Sequence, residues 1–204
     1  MNFIAYRDAA IKDYRAARYA RGTIPTNNAL RGQALMRDFY RGRIPAREAV
    51  DFDKLAKYWV LTNVWGGCHG TAWHNRRYYY SPISGLLEPV SYDNVPAFAK
   101  AEFRYCVPED VKAALKDPLF REKVVIFASE LNEEFQSDMF RESLADQQAY
   151  YDNLLELEDF AGRRAVYTPE FLTENLVLFL GKLDKGRQHW TCLLYTSPSP
   201  RDRG

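Results

Sequence analysis

The residues best suited to chemistry lie in one window, 63–94, which reads NVWGGCHGTAWHNRRYYYSPISGLLEPVSYDN. It holds His69, His74, Asn75 and Asp93. Asn75 stands just before a Tyr-rich run, 76–81, and Asp93 just after an apolar run, 86–92. Pro82-Ile83-Ser84-Gly85 separates the runs, so the segment is predicted to be a β-hairpin of two short strands with a four-residue turn. A hairpin brings its two open ends side by side, so the Asn75 amide and the Asp93 carboxylate are expected to converge. An amide oxygen beside a carboxylate suits Mg²⁺, which takes a few hard oxygen ligands and completes its shell with water and substrate phosphates. His69 is the candidate general base, since imidazole is the side chain whose unperturbed titration lies near neutral pH. The plainer readings are that Asn75 caps a turn and that Asp93 is an ordinary turn residue.

Other residues in the window have competing readings. His69 and His74 are five apart, which is no recognised zinc spacing, and with Asp93 they would suit only a metal-dependent hydrolase. His74 otherwise reads as a packed ring. Arg76 and Arg77 read as a solvated strand face in preference to a phosphate contact. Trp59, Trp65 and Trp73 are expected in the core. Cys68 and Cys106 fit neither a disulfide framework nor a zinc motif and read as buried thiols.

The elements that must hold this window follow from periodicity. Residues 3–21 are predicted helical, ended by Gly22 and Pro25. A second helix follows Asn28, carries Leu30, Leu35 and Phe39, and stops at Gly42 and Pro45. A third begins at a cap, Asp51 or Asp53. It carries Phe52, Leu55, Ala56, Trp59, Val60 and Val64 at spacings of three and four and ends at Gly66-Gly67. Pro89 weakens the second strand and predicts an edge position. Beyond Pro96, Pro108-Glu109-Asp110 starts a short helix. Asp117-Pro118 starts a long one with Phe120, Val124, Phe127, Leu131 and Phe135. A polar helix covers about 141–158. Thr168-Pro169-Glu170 starts a last helix whose buried stripe is Phe171, Leu172, Leu176, Phe179, Leu180 and Leu183, closed by Gly186. The expected fold class is α+β, predominantly helical: one domain with helices on both sides of one hairpin.

The chain has 204 residues, 28 Lys+Arg and 27 Asp+Glu. Its last stretch is set apart. Residues 192–202, CLLYTSPSPRD, match the translation of a common transposase-based sequencing adapter residue for residue, so 192–204 is expected to be an adapter-derived artefact outside the fold. Without Arg201, Asp202 and Arg203 the charge balance is 26 to 26. A neutral chain gives no electrostatic ground for nucleic acid or an anionic membrane. No apolar run is long enough for a transmembrane helix, and the first residues show no apolar signal-peptide region.

The window also resembles the CotH-type (spore coat protein H) kinase-like family. Members carry an Asp, four residues, then an Asn before a Tyr-rich strand, followed by an apolar strand ending in an aromatic-Asp pair. Trp73-His74-Asn75-Arg76-Arg77-Tyr78-Tyr79-Tyr80 matches the first part, and Leu87-Glu88-Pro89-Val90-Ser91-Tyr92-Asp93 matches the second. Phe39-Tyr40-Arg41-Gly42-Arg43-Ile44-Pro45 and the helix after Asp51 are similar to a subgroup. The resemblance covers residues 30–100. It implies a protein-kinase-like C-lobe fragment over residues 1–191, whose nucleotide-binding lobe is expected before residue 1. It implies phosphoryl transfer with ATP and Mg²⁺, Asn75 and Asp93 as metal ligands, a protein substrate, and a bacterial envelope or surface location. The chain departs from the pattern at Gly70, which stands where the family has its catalytic Asp. His69 is one position out of that register, and Asn94 stands where many members have an acidic step. No glycine-rich phosphate loop occurs. The alternative is therefore a catalytically inactive kinase-like module used for binding or structure.

Overall fold

The computed structural model describes residues 22–95, 102–156 and 167–185. The expected helix at 3–21, the stop at Gly186 and the adapter-like stretch lie outside the described residues. The elements run α1 (Thr23–Tyr40), α2 (Ala46–Ala49), α3 (Phe52–Val64), a 3₁₀ turn (Cys68–Thr71), β1 (Arg77–Tyr80), β2 (Leu87–Val90), α4 (Glu109–Ala114), α5 (Pro118–Gln136), α6 (Asp138–Glu156) and α7 (Pro169–Lys185). The described chain is mostly helical with one antiparallel hairpin, the α+β class expected. α1 begins earlier than its sequence suggests. Pro25 lies in its first turn, where the missing N–H has no helical partner to lose.

α3 organises the core. Asp51 caps it by accepting from the Lys54 amide at 3.1 Å, and Asp51 N donates to Leu87 O at 2.9 Å, which joins the helix start to the hairpin. At its other end Gly66 takes φ +68. Gly66 N then bonds Asn63 O at 3.1 Å and Gly67 N bonds Thr62 O at 2.7 Å, closing the last turn. Asn175 of α7 donates to Val64 O at 2.8 Å, so another of the terminal carbonyls is satisfied from a neighbouring helix. Between these caps α3 packs on α5, α7 and β2 and buries more than one stripe, including Thr62 and Asn63. Trp59 is wholly buried, with the Phe179 ring edge-on at 4.9 Å and Phe120 stacked at 6.3 Å. Each such side chain contributes about 1.5–3 kcal/mol by leaving water.

α4, α5 and α7 start where their sequences say, whereas α6 starts at Asp138, ahead of the expected 141. Asp117 caps α5 through Leu119 N at 3.0 Å. Ser137 caps α6 through Phe140 N at 3.1 Å. Thr168 caps α7 through Phe171 N at 3.2 Å. In α5 the buried face is Phe120, Val124, Ala128, Leu131 and Phe135, with Phe127 half-buried beside it. In α7 it is Leu172, Leu176, Phe179 and Leu183, with Phe171 and Leu180 half-buried.

The hairpin pairs Arg77 with Val90, Tyr78 with Pro89, Tyr79 with Glu88 and Tyr80 with Leu87. Ser81 N to Leu86 O at 2.9 Å closes the four-residue turn. α1 lies against both strands and α3 against β2. On its far side β2 has a single bridge, Val50 to Leu87, so Pro89 interrupts no ladder there.

Apart from the site residues themselves, the cysteine reading and the Trp73 reading are overturned. Cys68 and Cys106 are not buried thiols but a half-buried disulfide, their Cα atoms 5.7 Å apart. Trp73 is 76% exposed instead of core, because it sits on the loop before β1, outside the helical layer. Trp65, half-buried, packs against the core as expected, its ring 5.0 Å from that of Tyr167.

Candidate functional site

Three segments build the site: the 3₁₀ turn after α3, the start of β1 and the end of β2. The turn is held from below by Tyr58 of α3, whose hydroxyl donates to Gly70 O at 3.2 Å. The Cys68–Cys106 disulfide ties the turn to the segment before α4. That segment is fixed in turn by α3. Asn63 accepts from Cys106 N at 2.8 Å and donates to Cys106 O at 3.2 Å, and Trp59 Nε1 donates to the same carbonyl at 2.6 Å. Two buried side chains thus bind both backbone polar groups of one residue, which satisfies groups that burial would otherwise leave costly.

Asn75 is buried and its amide is doubly engaged. Nδ2 donates to His69 O at 3.1 Å and to Asp93 Oδ2 at 3.1 Å. The turn-cap reading and the convergence reading of Asn75 are therefore both realised. His69 Nε2 lies 3.1 Å from the same Asp93 Oδ2. Three of the four residues singled out from sequence, His69, Asn75 and Asp93, meet at one carboxylate oxygen. The Asp93 side chain is 46% exposed and that of His69 52% exposed, so the meeting point opens to solvent. Asp93 has φ +51, a conformation uncommon outside glycine and most tolerated by Asn and Asp; it re-aims the chain where β2 ends.

Gly70 is closely packed. A Cβ there would come within 1.4 Å of Asn94 Oδ1 and 3.0 Å of Tyr92 O. Asn94 fills that space, anchored through Nδ2 to Ser91 Oγ at 2.7 Å, while its Oδ1 is buried without a hydrogen-bond partner. A larger side chain at position 70 would have to displace the Asn94 amide and press on Tyr92 O.

His74 is exposed, not packed inside, its ring edge-on to His69 at 6.0 Å between centroids. It does not complete a metal triad. Among the described residues no group of three or more His, Cys, Asp or Glu side chains could hold a metal ion. Arg77 lies over the Tyr92 ring at 4.6 Å and donates to His74 O at 2.7 Å.

Arg76 is not a solvated arginine. It points inward, almost wholly buried, and pairs with Asp110 of α4, which is 1% exposed. Tyr78 donates to the same carboxylate and accepts from Arg76 at 2.6 Å, and the guanidinium stands 4.8 Å over the Tyr58 ring. Burial alone would lower the Arg76 pKa, but the Asp110 charge, with Tyr58 and Tyr40, outweighs it and the net direction is up. Asp110 carried no sequence signal beyond a helix start. Its role appears only when α4 is set against β1.

The groups that face solvent at this opening are few. The opening offers a half-exposed carboxylate and an amide whose nitrogen is engaged by His69 O and Asp93. The amide turns its nitrogen to the Asp93 carboxylate, so an Asn75 oxygen contact to an ion shared with Asp93 would require the amide to turn over. A separate groove of about 320 Å³ between α6 and the start of α7 shares no residue with this site.

No family model matches the chain, and no curated protein or solved structure does either.

Proposed function

We propose that this chain carries the metal-holding part of a CotH-type kinase-like protein, with a protein-kinase-like C-lobe, acting in ATP- and Mg²⁺-dependent phosphoryl transfer to a protein substrate. The observation that carries the reading is the convergence of His69, Asn75 and Asp93 on one oxygen at the open end of a Tyr-rich hairpin. It matches the loop–hairpin–Asp order on which the resemblance rests. Asn75 and Asp93 would hold Mg²⁺. Such a cation, when bound, neutralises charge on the nucleotide phosphates. Asn75 also keeps the His69 turn closed over the strand start. Buried Arg76, held by Asp110, fixes the strand immediately after Asn75. His69 is the residue placed to take a proton from an acceptor hydroxyl, half-exposed as a base facing substrate must be.

A second reading is favoured by Gly70. A larger side chain there would have to displace the Asn94 amide, which suits a catalytically inactive module that keeps the kinase-like frame for binding. The disulfide fits either reading in an oxidising compartment, in line with an envelope or surface location.

ATP turnover by a polypeptide that carries these residues together with a nucleotide-binding lobe separates the two. The kinase reading expects Asp93→Ala to lower turnover by about 100-fold or more, the scale of losing a key electrostatic contact. Equal turnover in wild type and variant rejects it. Turnover absent from both leaves the inactive module as the reading.

A further inference from the structure

We infer that Trp73 is a specificity residue of this site. It docks a large apolar side chain of an extended protein segment, at a position about three residues or fewer from the acceptor hydroxyl. This rests on the reading that His69 faces the hydroxyl of a protein substrate. Among the described tryptophans, Trp59 is wholly buried and Trp65 half-buried, whereas Trp73 leaves 76% of its surface in water. An indole in solvent forgoes the largest apolar contact a side chain can make, and recovers it when a partner covers the ring.

The placement of the ring ties it to the site. Trp73 stands edge-on to His74 with centroids 5.5 Å apart, and His74 stands edge-on to His69 at 6.0 Å. His69 in turn meets Asp93 at 3.1 Å. Three rings thus lead outward from the Asp93 carboxylate. Trp73 is no farther from His69 than the two ring steps together, and extended chain advances about 3.3 Å per residue. A segment whose hydroxyl lies at His69 therefore lays a side chain on Trp73 within about three residues. The backbone beneath the ring is fixed. Asn75 N and Arg76 N donate to Ala72 O at 2.9 and 3.1 Å, which folds residues 72–76 into a tight turn, and Arg77 donates to His74 O at 2.7 Å. A platform held in this way loses little freedom when it is covered. Tyr92, the exposed aromatic residue next to Asp93, already carries the Arg77 guanidinium over its ring at 4.6 Å, so the apolar anchor falls to Trp73. An indole with a carboxylate and an imidazole close by offers one apolar and one polar position. A peptide with a bulky residue near a hydroxyl residue matches both.

The test is an NMR titration of the ¹⁵N-labelled 204-residue chain with short synthetic peptides. Each peptide carries one Ser and one Phe, the Phe placed next to the Ser or progressively farther from it, and a peptide with Ala in place of Phe is the reference. Affinity is read from the Asn75 side-chain amide and the Arg77 main-chain amide in wild type, Trp73→Ala and Trp73→Phe, the remaining amide signals reporting the fold of each variant. Wild type is expected to bind peptides with Phe about three residues or fewer from Ser at least about tenfold more tightly than the reference, the scale of a tryptophan anchor. Trp73→Ala abolishes that preference, and Trp73→Phe keeps most of it. Equal affinity for all the peptides, no binding of any of them to wild type, or a preference that survives Trp73→Ala overturns the inference. Concentration-dependent shifts of the Trp73 indole signal without peptide would assign the ring to a second copy of the chain and overturn it as well. Binding of these peptides needs no nucleotide, so the inference fails or stands on this titration, while ATP turnover alone decides the kinase reading.

Discussion

The side-chain amide of Asn75 donates to Asp93 Oδ2 at 3.1 Å, joining two residues eighteen positions apart at the mouth of a two-stranded ribbon. The ribbon's register makes this possible. With Arg77 opposite Val90, the chain before β1 and the chain after β2 leave the sheet side by side. Asp93 then turns through positive φ to present its carboxylate. The amide is buried and the carboxylate half-exposed, so the pair has a fixed inner member and an outer member that solvent can reach.

Placing an acid at position 70 is expected to strain the turn. Gly70→Asp drives a Cβ into Asn94 and against Tyr92 O, and is expected to cost about 1–3 kcal/mol, the usual range for overpacking. Urea denaturation reads the cost. Stability equal to wild type would show that Asn94 moves aside freely.

Arg76 and Asp110 are expected to behave as a unit. Arg76→Met alone strands a buried carboxylate, at a cost of about 3–5 kcal/mol. Arg76→Met combined with Asp110→Leu removes both charges and should recover most of that loss. A double variant no more stable than the single one contradicts the assignment, read from the same denaturation curves.

The disulfide closes a separation of 38 residues between the His69 turn and the segment before α4. Cys106→Ser is expected to lose about 2–4 kcal/mol of unfolding free energy, and reductant should then have no further effect. Denaturation midpoints that match with and without reductant in wild type would mean the bond contributes nothing.

Glu170, in the first turn of α7, supplies a pH test. Its own backbone amide, then the Thr168 hydroxyl and Arg141, hold its carboxyl below the ordinary value of 4.5. A depressed folded-state pKa contributes stability that is present above 4.5 and is lost as pH falls through the lower folded value. Glu170→Gln should therefore melt below wild type at neutral pH, with the gap closing as pH falls below 4.5. A gap independent of pH would show that the carboxylate is not the source.

Sequence was sufficient for what is local. The Asp51, Asp117 and Thr168 caps, the Gly66 stop and the Pro82–Gly85 turn each depend on a few adjacent residues, and each formed where its residue types demand. The convergence of Asn75 and Asp93 was legible for the same reason, since a tight turn dictates which ends meet. The disulfide was not. Two cysteines 38 apart carry no sign of proximity until Asn63 and Trp59 pin the Cys106 peptide to α3. Arg76 was misread because adjacent arginines on a strand look solvated, although strand alternation sends one of the two inward. Its partner Asp110 arrives from another helix, by a route no periodicity reveals. Gly70 read as a missing acid, while its close packing against Asn94 is visible only in the fold.

The most direct test of the account is the pair of side-chain amide proton signals of Asn75 in ¹H–¹⁵N NMR spectra, followed through titration with MgCl₂. The account predicts that both signals shift saturably, because the cation takes the oxygens of the amide and carboxylate now joined by the Nδ2–Oδ2 bond, and that the shift vanishes in Asp93→Ala. Asn75 signals that stay fixed at saturating millimolar Mg²⁺, or shift equally without the Asp93 carboxylate, would contradict it.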